Sequence, residues 1–175
     1  MVEHPLLVVV SGSMCTVGPC DGWSHPFEET LHSGDLILIQ GITSDEIKAE
    51  PYPEGDILVF YRPKPSPTSP DELIVHRVIN RETGNGLEYF RTKGDGNSVH
   101  DHWSADYREE YSWNGMISSE LIVGKVIMRI PWIGHIAWFM RSPIGIYLII
   151  SLIIILVAIE YVIPRDSKTE KLNIT

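Results

Sequence analysis

A run of about 20 apolar residues, Ile144 to Ile163, constrains this chain more than any other stretch. As a helix it would be about 30 Å long, the thickness of a bilayer core. Isoleucine dominates it, and β-branched residues are poor helix formers in water. In lipid the backbone has no other hydrogen-bond partner, so a transmembrane helix is expected. Glu160 lies within a turn of its end, in reach of the headgroups. Residues 131–143, just before it, carry Trp132, Trp138, Phe139 and Arg141, a composition suited to the membrane surface. An amphipathic core element would read the same way. The polar tail, residues 164–175, holds Arg165, Lys168 and Lys171 against Asp166 and Glu170. That bias favours a cytosolic tail and a main domain on the extracytoplasmic face of the cell membrane, although Arg129 and Arg141 pull the other way. The first ten residues hold no apolar run long enough for a signal peptide.

Residues 1–130 read as one β-rich domain. Leu6–Val10, Leu36–Ile39, Ile57–Tyr61, Leu73–Ile79, Leu87–Thr92 and Leu121–Ile130 are apolar and rich in β-branched residues, as strands are. The first of them reads as a buried strand. Gly34-Asp35 and Gly55-Asp56 introduce the second and third strands, and Gly84-Asn85-Gly86 signals a hairpin. Arg62 to Pro70 has four prolines and must be a loop. Cys15 to Phe27 is rich in Gly and Pro and reads as irregular, while Trp103 to Ser118 has no clean periodicity. Short strands between turn signals imply a mostly β domain with curved antiparallel sheets. The formal net charge of −9, without a basic stripe, argues against a nucleic-acid partner.

Three features carry chemistry. Ser13 stands in a small turn, Ser11-Gly12-Ser13-Met14, directly after the first strand. A serine hydroxyl there is held on one side and open to a substrate on the other, but it needs a base to attack at neutral pH. His76 lies inside an apolar strand and has the right basicity for that role. Asp95 and Asp101 lie in a glycine-containing loop, and a carboxylate at the far ring nitrogen would fix the tautomer of His76. Taken singly, the serine is an ordinary turn residue and the histidine an ordinary strand residue. Cys15 and Cys20 bracket the loop after Ser13, as a disulfide that pins it or as two free thiols.

In order, the blocks are Ser-Gly-Ser-Met, Gly-Asp-Leu-Ile-Leu-Ile, Gly-Asp-Ile-Leu-Val-Phe with its Pro-rich loop, Ile-Val-His-Arg-Val-Ile, and Thr-Lys-Gly-Asp-Gly-Asn with an Asp six residues beyond the first. This array, from about Leu6 to Ile130, resembles the type I signal peptidases. It is most similar to their archaeal and endoplasmic-reticulum branch, where a His replaces the bacterial Lys. The resemblance implies the curved antiparallel sheets of the signal peptidase and LexA-like type. It also implies a serine endopeptidase that removes signal peptides from secreted preproteins by acyl-enzyme chemistry. Ser13 would be the nucleophile and His76 the base. Asp101 would orient His76, and Asp95 would support the site or share that work. Ser11 and the Ser13 amide would form the oxyanion hole. Expected partners are signal peptides, bound as an added strand, the lipid bilayer and the translocation machinery; acyl transfer of this kind needs no metal or organic cofactor.

The chain departs from the family pattern in places. The loop up to Gly34 is longer than the short bacterial form, and Gly96 replaces the commoner Asn. Family members usually have a transmembrane helix before the Ser-bearing strand, so either the C-terminal anchor acts alone or the true start lies upstream. Two rival readings differ in class. Asp95, His100, Asp101 and His102 offer oxygen and nitrogen ligands suitable for zinc. A non-catalytic, membrane-anchored binding module could use the same fold.

Overall fold

A computed structural model describes residues 5–16, 29–104 and 106–162. The chain divides into two compact units, residues 1–135 and 136–175. Among the described residues, the first is built on one antiparallel sheet of eight strands: β1 (Leu6–Val8), β2 (Leu36–Gln40), β3 (Ile57–Tyr61), β4 (Leu73–Gly84), β5 (Leu87–Lys93), β6 (Ser112–Trp113), β7 (Met116–Ser118) and β8 (Ile122–Ile130). Their spatial order is β1-β2-β8-β3-β4-β5-β7-β6.

Side-chain alternation on β3 separates two cores. Leu58 and Phe60 join Ile47, Val78, Phe90, Ile117 and Leu121 on one face. Val59 joins Val9, Met14, Leu31, Ile37 and Ile39 on the other. A strand buried on both faces has no polar side to alternate with, which explains the unbroken apolar run in the sequence. The sheet curls into a half-barrel. Against β2, Leu38 pairs with Met128 and Ile39 with Val126, which leaves Ile127 as an extra residue in β8. Against β3, Val59 pairs with Gly124 and Phe60 with Ile122, which leaves Val123 extra. Such bulges sharpen the right-handed twist. The curl brings β1 and β4 together, although three strands lie between them in the sheet order: Leu7 to Val10 and Leu73 and Val75 line one groove.

The leading apolar run is an edge strand and not a buried one. Leu6–Val8 pairs with β2 on one side, and Leu6 and Val10 are 53% and 74% exposed. Its residues alternate, with Leu7 and Val9 turned to the core. On the opposite face the register aligns Leu6, Leu38 and Met128 in one row and Val8, Leu36 and Ile130 in the next. These apolar side chains lie outside the core, and Leu6, Met128 and Ile130 are among the exposed hydrophobic residues. The carboxylates of the two Gly-Asp pairs close local turns: Asp35 accepts from the His32 amide (2.7 Å) and Asp56 from the Lys48 amide (2.9 Å).

The segment left open, Trp103 to Ser118, contains β6 and β7 joined at Asn114-Gly115. Both joining residues have positive φ, 51° and 74°, as a two-residue hairpin turn requires. Asn85-Gly86, at 52° and 80°, joins β4 to β5 in the same way. The β unit runs past Ile130 to His135. The Gly134 amide donates to the Gly34 carbonyl at 2.9 Å, and the His135 ring covers Gly34.

Residues 133–141 form a helix, α1 (Ile133–Arg141), with Ile133, Ile136 and Met140 exposed at helical spacing. The second helix, α2 (Pro143–Val162), begins one residue before the expected Ile144. The Ser142 hydroxyl accepts from the Gly145 amide at 3.0 Å and caps the helix, and Pro143 suits the first helical position. The window Pro143–Tyr161 has a mean hydropathy of 2.6, long and apolar enough to cross a membrane. Ile163, the polar tail and the Trp138 side chain lie outside the described residues.

Candidate active site

The turn after β1 presents Ser13. The Cys15 amide donates to the Gly12 carbonyl (3.0 Å), which closes the turn. The loop after β5 braces it, with the Gly96 amide donating to the Ser13 carbonyl (3.0 Å). Backbone lies against backbone here. A Cβ at Gly96 would collide with the Cys15 carbonyl, and one at Gly94 with the Ser13 carbonyl. The glycine at position 96 is therefore a packing requirement of this turn. Cys15 is disulfide-bonded; Cys20 lies outside the described residues.

His76, in β4, spans the gap between Ser13 and Asp101. Its Nε2 lies 3.0 Å from Ser13 Oγ and its Nδ1 lies 2.5 Å from Asp101 Oδ2. A carboxylate at Nδ1 holds the proton on that nitrogen and leaves Nε2 to accept the serine proton. The His76 side chain is 10% exposed, so little water competes for it. The Ser11 hydroxyl is 3.2 Å from that of Ser13, on the same turn. Beside these hydroxyls runs an apolar groove of ≈ 230 Å³, lined by Leu7 to Ser11, Met14, Leu73 and Val75.

Asp95 takes the supporting place and is not part of the chain of contacts through His76. Consecutive strand residues point to opposite faces, so Arg77 turns away from the side on which His76 meets Asp101. Asp95 follows Arg77. Its two oxygens accept from Arg77 Nε (2.8 Å) and Nη2 (2.6 Å) in a forked pair. Arg77 is 2% exposed, and its remaining donors reach the carbonyls of Glu29, Pro53 and Gly55. The Thr30 hydroxyl lies within reach of both Asp95 Oδ2 (2.7 Å) and the Met14 carbonyl. Arg77 thus ties the Asp95 loop to the segment beside the Ser13 turn.

These commitments answer the zinc reading. Asp95 is engaged by Arg77 and Asp101 by His76, while the His102 ring packs on Gly115. Among the described residues, no group of three or more His, Cys, Asp and Glu side chains is arranged to hold a metal ion.

Sequence reasoning did not single out Arg77, Thr30, Thr92 or Trp103. Arg77 had a visible signal, a charge inside an apolar strand, where a buried partner is obligatory. Thr92 is fully buried and donates to Asp101 Oδ2 at 2.7 Å. Nothing in a threonine on a strand announces such a contact.

The fold and site together are a curled antiparallel β domain with Ser, His and Asp in line, followed by an apolar helix. No family model matches the chain, and no solved structure matches it. A stretch of 95 residues, 54% of the chain, is 30% identical to an uncharacterized protein of Methanocaldococcus jannaschii and spans 43% of that protein.

Proposed function

We propose that this chain is a membrane-bound serine endopeptidase of the type I signal peptidase kind, cleaving signal peptides from preproteins. The observation that carries the reading is the position of His76, 3.0 Å from Ser13 and 2.5 Å from Asp101. In this reading Ser13 Oγ attacks the scissile carbonyl while His76 Nε2 takes its proton. Asp101 stabilises the imidazolium. The Ser11 hydroxyl and the Ser13 amide receive the negative charge that develops on the carbonyl oxygen. His76 then protonates the departing amine. Water, activated by the same ring, frees the acyl group from Ser13.

The substrate would bind as an extra strand along the open edge of β1, with small apolar side chains in the groove of Leu7 to Ser11, Met14, Leu73 and Val75. The row of Leu6, Leu38 and Met128, with that of Val8, Leu36 and Ile130, would rest in the lipid surface beside the membrane-held part of the substrate. Helix α2 would be the anchor, with the catalytic unit on the extracytoplasmic face and the tail in the cytosol.

The direct test is Ser13→Ala in the full chain, assayed on a preprotein in membranes. Processing should fall to background, with the melting temperature within a few degrees of the parent. Processing at the parental rate would remove the peptidase reading and leave a tethered β module.

A further inference from the structure

Asp101 is held by more than His76. Its amide donates to the Thr92 carbonyl at 2.9 Å, and its Oδ2 accepts from the Thr92 hydroxyl at 2.7 Å. Oδ2 is the same oxygen that meets His76. Trp103 Nε1 in turn donates to Thr92 Oγ1 at 3.0 Å. An indole N–H can only donate, so Thr92 Oγ1 is the acceptor in that contact. A hydroxyl has one proton, and the remaining direction for it is Asp101. The indole thereby fixes the rotor of Thr92, and Thr92 fixes the carboxylate. Trp103 is itself set by packing, edge-on to Phe60 with centroids 5.6 Å apart. The Arg62 guanidinium lies 6.0 Å from the Trp103 ring.

We propose that Trp103 and Thr92 are positioning residues that aim Asp101 at His76. Thr92 is fully buried and acts through the carboxylate; Trp103 acts through Thr92, with its ring also 6.5 Å from that of His76. The proposal rests on the peptidase reading for its kinetic arm and on geometry alone for its spectroscopic arm.

The test uses the full chain in detergent micelles, as the parent and as Thr92→Val, Thr92→Ser and Trp103→Phe. The kinetic probe is a synthetic peptide that spans a signal-peptide cleavage site. The spectroscopic probe is the Nδ1 proton of His76, observed by NMR after selective ¹⁵N-histidine labelling and assigned by its loss in His76→Asn. Thr92→Val should lower kcat by roughly 10- to 100-fold, the range for losing a hydrogen bond to a charged group, with KM within about twofold. Thr92→Ser should recover most of that loss. Trp103→Phe keeps the ring contact but drops the N–H, and should cost a few-fold in kcat. The Nδ1 proton should move upfield or broaden in the Val variant and keep its parental position in the Ser variant.

An unchanged kcat in Thr92→Val, a loss that Thr92→Ser does not rescue, or an unmoved Nδ1 proton would overturn the positioning role. If the parent does not cleave the peptide, the peptidase reading fails separately. The Nδ1 resonance then still decides the relay, and Trp103→Phe decides it should the Val variant not fold.

Discussion

His76 and Arg77 are neighbours in sequence with opposite commitments. One faces Ser13 and Asp101; the other is locked to Asp95 and three carbonyls. Lysine at position 77 would keep the charge but lose the planar fork. Removing one partner of a buried pair typically costs about 3–5 kcal/mol, and losing the fork together with the donors to three carbonyls forfeits a part of that. Arg77→Lys should therefore lower the denaturation midpoint strongly, as chemical unfolding followed by circular dichroism would show. His76→Lys tests a different thing. An ammonium on a flexible stem cannot hold a proton acceptor at the imidazole's distance and direction, so cleavage should fall at least 100-fold with little change in fold. Ser13, His76 and Asp101, which the fold brings within hydrogen-bond reach of one another, were all singled out by the order of the sequence blocks. The division of labour between Asp95 and Asp101 was not, because it depends on which face of β4 each partner meets.

At the scale of elements, the strong strands were plain because β-branched runs between turn residues have few alternatives. The short β6–β7 hairpin was hidden. Its strands have two and three residues, too few to display a period, and Asn114-Gly115 was the remaining signal. The stretch before it is pinned by Asp106, whose Oδ2 accepts from the Lys64 amide at 2.7 Å while Arg108 grips Oδ1. Burial opposes ionisation of Asp106 most strongly, yet the hydrogen bonds from the Arg108 side chain and from the Arg108 and Lys64 amides outweigh it and hold the carboxyl below its usual range. A carboxyl whose folded pKa is depressed stabilises the fold above its unfolded pKa of about 4 and loses that contribution as pH falls through the lower folded value. Asp106→Asn should lower the melting temperature at neutral pH and narrow the gap to the parent as the solution is acidified. Thermal melts at about pH 7, 5 and 3 would display both.

For the whole molecule, the expectation of a spanning helix stands on length and composition, and α2 meets both. The full chain should stay with the membrane pellet after alkaline carbonate extraction; release into the supernatant would oppose an anchoring role for α2. The apolar rows on β1, β2 and β8 could not be read from the sequence, since they arise from the pairing register between distant segments. Met128→Glu should slow processing of a preprotein in membranes while leaving turnover of a soluble peptide unchanged.

Ser13 stands beside a short strand whose outer edge pairs with no other strand among the described residues, and that has a consequence for timing. Backbone donors and acceptors along β1 can be met only by a partner that is itself stretched out. A coiled or folded segment has already spent its amides internally and offers nothing to pair. The chemistry proposed for Ser13 would therefore reach a newly made chain in the interval before it folds, and would pass over the same bond once that bond lay within a finished domain.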